Sequence, residues 1–209
     1  MRVKSNKLAL RVLSTATFLA MVSSCATAAF AGTYYMEKGS ISIVAKTDGN
    51  YITQGDINDK KDEGETVITN RDSSTASENT VTIKAEEGST ANVTLDNVNI
   101  DASDTDKAAI HTEGNVTLEL DGDNTLTGGE GHAALEKYSS SDKDYTLTLQ
   151  DETTGDGKTG SLTANGGAGG AGIGGGKGDG SIQSGQGFDI TIKDGAHVEA
   201  TGDKGGAGI

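Results

Sequence analysis

Residues 161–173 (SLTANGGAGGAGI) align without a gap on residues 197–209 (HVEATGDKGGAGI), with seven identities in thirteen positions. Self-similarity at such a period marks a chain of stacked units, none of which can bury its apolar face alone. The shared phrase pairs small residues with a branched apolar one. It occurs as Lys107-Ala108-Ala109-Ile110, His132-Ala133-Ala134-Leu135, Gly170-Ala171-Gly172-Ile173 and Gly206-Ala207-Gly208-Ile209, at intervals of 25, 38 and 36 residues.

Between the phrases the chain alternates. TVTIKA (80–85), NVTLDNVNI (92–100), NVTLELDG (115–122), YTLTLQD (145–151) and FDITIKDG (188–195) carry Val, Leu or Ile on every second residue with Thr, Asn or Asp between. That is the pattern of half-buried strands. After the first 31 residues no stretch has helical periodicity, which excludes leucine-rich, ankyrin and tetratricopeptide units. An all-β parallel β-helix fits instead: short strands, polar turns, and small residues where the chain corners pack closely. The complete absence of proline agrees, because every inner strand must donate N–H groups to its neighbours.

We therefore expect β-helix repeats over 76–209, with the segment 136–145 (EKYSSSDKDY) bulging from one turn. Residues 32–75 are less regular and are expected to cap the first rung. Within them SISIVA (40–45) and ETVITN (65–70) read as strands, and DINDKKDEGE (56–65) as a charged loop. Ile209 falls inside a repeat, so the expected fold is truncated at its C-terminus, as a fragment of a longer protein.

Residues 1–31 read as an export signal. Arg2, Lys4, Lys7 and Arg11 precede an apolar run, Val12 to Val22, that is too short to span a bilayer, and Ala29-Phe30-Ala31 offers a cleavage site. Val22-Ser23-Ser24-Cys25 also resembles a lipobox, so a lipoprotein anchored at Cys25 is the alternative to a secreted or cell-surface protein. Without these residues the chain keeps 13 basic against 31 acidic residues, a net charge of −18. With Arg71 as its sole arginine, that balance argues against nucleic acid and against anionic membranes as partners. No later segment is apolar enough to insert into a membrane.

The stretches VTLDNVNI, GNVTLELDGDNTLTGGEGHAALEK, GSLTANGGAGGAGIGGG and DITIKDGAHVEATGDKGGAGI resemble extracellular carbohydrate-binding β-helix proteins of gut and cellulolytic clostridial bacteria. The resemblance covers residues 76–209. It implies a right-handed parallel β-helix, export, bound calcium, and recognition of plant or cell-wall polysaccharide, acidic or cellulosic.

Oxygen-rich turns give calcium its candidate ligands. Asp121 and Asp123 flank Gly122, and Asp104 and Asp106 of the preceding turn are expected to stack beside them. Asp in such positions is also a common turn former without any ion. GGKGDG (175–180) is one residue short of a calcium-binding nonapeptide and occurs once. For glycans, Tyr138 and Tyr145 are the candidate contacts. A pectin-degrading enzyme is the weaker reading. Carboxylate pairs are too common here to be diagnostic, and His111, His132 and His197 lie beside phrases or turns, as corner or surface residues do. The rival of another class is a structural or adhesive stalk without a glycan ligand.

Overall fold

The structure is a computed structural model that describes residues 32–138, 145–152, 159–176, 189–193 and 195–209. The expected export signal, most of the segment 136–145 and most of GGKGDG lie outside the described residues. Gly32–Tyr35 (β1) leads through a single 3-10 turn, Met36–Lys38, into Ile41–Lys46 (β2), Gly49–Gln54 (β3), Ile57–Lys61 (β4) and Thr66–Thr69 (β5). From there strands come in threes. Val81–Ala85 (β6), Thr90–Asp96 (β7) and Asn99–Asp101 (β8) are followed by Ile110–Glu113 (β9), Asn115–Asp121 (β10) and Asp123–Thr127 (β11). Leu135–Tyr138 (β12), Leu147–Gln150 (β13) and Ser161–Ala168 (β14) precede Ile173–Gly174 (β15), Ile190–Ile192 (β16) and His197–Asp203 (β17).

The first strand of each triple joins a seven-stranded sheet ordered β15-β12-β9-β6-β2-β3-β4. The second joins a six-stranded sheet, β1-β5-β7-β10-β13-β16, and the third a four-stranded sheet, β17-β14-β11-β8. Pairing is parallel except where β3 meets β2 and β4. The chain thus visits three sheets in a fixed order, and the described residues contain no α-helix.

The register explains the intervals read from the sequence. Ile110 pairs with Leu135 and Leu135 with Ile173, which are the branched residues of successive phrases. Val81 and Ile41 extend this file toward the N-terminus, and all five side chains are buried. Parallel pairing sets rungs about 4.8 Å apart and keeps equivalent side chains on one face. Alternation therefore becomes a set of aliphatic stacks. Thr66, Val93, Leu118 and Leu149 form one in the six-stranded sheet, and Ile68, Leu95 and Leu120 another.

Tyr34 sits opposite Ile68 at the start of the second stack. Burial, reinforced by the charge of and a hydrogen bond with Asp62, pushes its hydroxyl up to about 12. Met36 and Ile52 are wholly buried in the same core.

Two local expectations change. The segment expected as a charged loop, residues 56–65, contains β4, because Ile57 and Lys61 pair with Gln54 and Tyr51 of β3 and close a short antiparallel meander. Lys60, Lys61 and a positive φ of 45° at Asp59 make that outer strand a poor template for further pairing. The segment 136–145, expected to bulge from one turn, begins instead inside β12, where residues 136–138 pair with β9 and Lys137, at an inward position in line with Ile83 and Thr112, is only 1% exposed. Its charged type gave no sign of that placement.

Candidate functional site

A concavity with a volume of ≈ 580 Å³ lies on the outer face of the six-stranded sheet. Its floor is made by the alternate positions that the core does not use. Thr94 of β7, Glu119 of β10 and Gln150 of β13 stand in one cross-strand row, and Asn92 and Thr117 in the next. Gly49, Asn50, Gly64 and Glu65, contributed by the meander and the turn after it, form one wall. Asn50 fixes that wall: its side-chain amide donates to the Thr66 hydroxyl at 2.9 Å and to the Asn92 carbonyl at 2.8 Å.

The lining carries four carboxylates, Glu65, Glu119, Asp121 and Glu152, and no Lys, Arg or His. Thr94 donates its hydroxyl to Glu65 at 2.5 Å, and the Glu152 amide donates to Glu119 at 2.6 Å. At the far rim Lys193 donates to Gln150 at 2.5 Å. The groove is an acceptor-rich strip. It suits hydroxyl-rich neutral ligands and cations, and it repels anions unless a cation intervenes.

Of the residues singled out from the sequence, only Asp121 lines this groove, and the others lie elsewhere. Tyr138, on β12 of the seven-stranded sheet, is 36% exposed and stands 6.3 Å from the His111 ring. It is in register with Glu113, whose carboxylate holds the Lys84 ammonium at 2.9 Å. That hydrogen bond raises the Lys84 pKa, with a smaller contribution from the nearby Tyr145. Both tyrosines therefore approach one ion pair, away from the groove.

The aspartates do not converge, which corrects the expected stacking. Asp121 is in register with Asp96, and Asp123 accepts the Ser161 hydroxyl at 2.9 Å, so this pair belongs to the corner between β10 and β11. Asp104 and Asp106 are exposed on the corner that follows β8, where the carbonyls of Thr105 and Lys107 pack on Gly129. Because Asp101 at the end of β8 pairs with Thr127 at the end of β11, the two corners are separated by the length of a strand. Among the described residues these aspartates belong to no group of three or more His, Cys, Asp or Glu side chains placed to hold a metal ion.

The histidines also divide. His197 begins β17, while His111 and His132 both contact Glu136, through Nδ1 at 2.9 Å in each case. Burial pushes the Glu136 carboxyl up, but hydrogen bonds from the two imidazoles and their charges outweigh it and hold the group below its ordinary 4.5. A depressed folded-state value means a contribution to stability that is complete above 4.5 and lost as the pH falls below it. In urea titrations at successive pH values, the stability gap between the protein and Glu136→Gln should narrow below that point. A gap that stays constant down to pH 3 would show that the carboxylate form contributes nothing.

The sequence signals for these arrangements were present but unread. His111 follows Ile110 and Glu136 follows Leu135, so aligning the two phrases already places them opposite one another. The groove residues had no comparable signal, because an outward Thr or Glu on a floor looks the same as one facing open water. Among the described residues no helix is long and apolar enough to cross a membrane. Compared with family models, curated proteins and solved structures, the chain matches none.

Proposed function

We propose that the chain is a right-handed parallel β-helix, capped by its first 44 residues after the export signal, and that it acts outside the cell as a non-catalytic polysaccharide-binding module. The observation that carries this reading is the groove across the six-stranded sheet. It is open, runs over several parallel strands, and offers Asn, Thr, Gln and carboxylate groups at the regular spacing of the rungs. A polysaccharide repeats hydroxyl donors along its length, and carboxylates accept such donors through charge-assisted hydrogen bonds. No aromatic platform lines the groove, so polar contacts must dominate.

Calcium enters this reading as a bridge and not as a structural ion. An acidic polysaccharide would need a divalent ion between its uronates and Glu65, Glu119 or Glu152, since both surfaces are otherwise anionic. Affinity electrophoresis through a neutral β-glucan and through polygalacturonate, each with calcium or chelator, tests the proposal. Retention by the neutral polymer should be insensitive to chelator, retention by the acidic one should require calcium, and Glu119→Gln should weaken both. Absence of retention in all four gels would leave the stalk as the better reading. Release of reducing ends on prolonged incubation would overturn the non-catalytic assignment.

A further inference from the structure

The pairing of β9 with β12 puts His111 directly across from Glu136, while His132 lies four residues before Glu136 in the turn that leads into β12. One carboxylate therefore serves two imidazoles. Glu136 Oε1 is 2.9 Å from His111 Nδ1 and Oε2 is 2.9 Å from His132 Nδ1. The Glu136 side chain is 13% exposed, against 33% and 34% for the two rings. The glycine run of the third phrase helps to bury it: Gly174 pairs with Glu136, and a Cβ on Gly176 would fall 2.7 Å from Oε2. Both rings and Glu136 line one cavity of ≈ 180 Å³ together with Thr82, Asp106 and Lys107.

The chemistry of this arrangement is directional. A carboxylate at neutral pH only accepts hydrogen bonds, so each imidazole must present Nδ1–H to it. Each Nε2 is then left with its lone pair. Metal-binding histidines are held in this way, donating one ring N–H to a carboxylate while the other nitrogen ligates. Here two histidines share the same positioning carboxylate and open into the same cavity.

We propose that His111 and His132 bind a divalent transition-metal ion of the zinc or copper class through their Nε2 atoms, with Glu136 as the positioning residue. Imidazole nitrogen selects these ions over calcium, which takes oxygen ligands. The site is distinct from the acidic groove, being on a different sheet. With two protein ligands, the remaining coordination positions fall to water or to an oxygen of a bound ligand. Asp106 and Lys107 are the charged neighbours at the cavity, the first favouring a cation and the second opposing it.

The test is calorimetric titration of Zn²⁺ alone into the untagged full chain at neutral pH, with histidine ring signals followed by NMR in parallel. One zinc should bind per chain, shifting the His111 and His132 ring signals and leaving His197 unmoved. His111→Ala or His132→Ala should remove the binding, and Glu136→Gln should weaken it about 10- to 100-fold. In Glu136→Gln the ring nitrogen shifts should also report loss of the Nδ1–H tautomer on at least one histidine, a change that mere destabilisation would not produce. The NMR arm needs no variant, so misfolding of a mutant does not block the test. No heat of binding, or shifts at His197 equal to those at His111 and His132, would overturn the proposal.

Discussion

Replacing Gly170 with alanine is expected to destabilise the chain by about 3 kcal/mol, the upper part of the range for overpacked sites. A Cβ on Gly170 would fall on the carbonyl of His132, with the Ala133 nitrogen 2.9 Å away. The obstacle is backbone, so no rotamer change relieves it. The His132 carbonyl already accepts the Gly167 amide at 3.0 Å, and the Gly170 amide closes a turn on Gly167 at 2.7 Å. A methyl group here must therefore separate two rungs or break the turn. For a chain of this size the loss corresponds to a fall in melting temperature of roughly 6 to 12 °C, measurable by circular dichroism. A variant that melts within 1 °C of the parent would show that the phrase is not a close-packed corner.

Asn124→Ala is the second large effect, on the order of 3 to 5 kcal/mol, from loss of hydrogen bonds at buried groups. Asn124 is 1% exposed and stitches three successive passes of the chain. Its carbonyl accepts the Val98 amide at 2.8 Å, and its amide donates to the Ser161 carbonyl at 3.0 Å and to the Asp121 carbonyl at 3.2 Å. Alanine leaves the buried Val98 N–H without that acceptor and the two carbonyls without that donor. Asn124→Asp should be worse still, since it removes the donors and introduces a buried charge. Urea unfolding of both variants measures the ranking. If alanine costs under 1 kcal/mol, the asparagine is a turn former and not an internal tie.

Asn124 also shows where the sequence was legible and where it was not. Its neighbours Leu126 and Leu162 announce a core by alternation, and the phrases fix which rung lies on which. In the sequence an asparagine following Asp121-Gly122-Asp123 reads as an ordinary turn residue, and only the register reveals that it lies within β11 and faces inward opposite Leu162. Lys137 was missed for the same reason. The meander of β3 and β4 was missed because an edge strand protected by charge resembles a loop in composition. The aspartate pairs were grouped by proximity in sequence, whereas the fold sorts turns by which corner they occupy.

The match between residues 161–173 and 197–209 has a consequence for how such a chain can change length. Ser161 pairs with His197 and Ala164 with Ala200, in the same offset that the sequence alignment gives. The edge a rung presents is thus the edge its successor was built to accept. Inserting or deleting one such unit would preserve the register that joins Ser161–Asn165 to His197–Thr201, so the length can change here by a whole step with this pairing intact. A slip by an odd number of residues is penalised, because it would set outward threonines and glutamates against inward leucines.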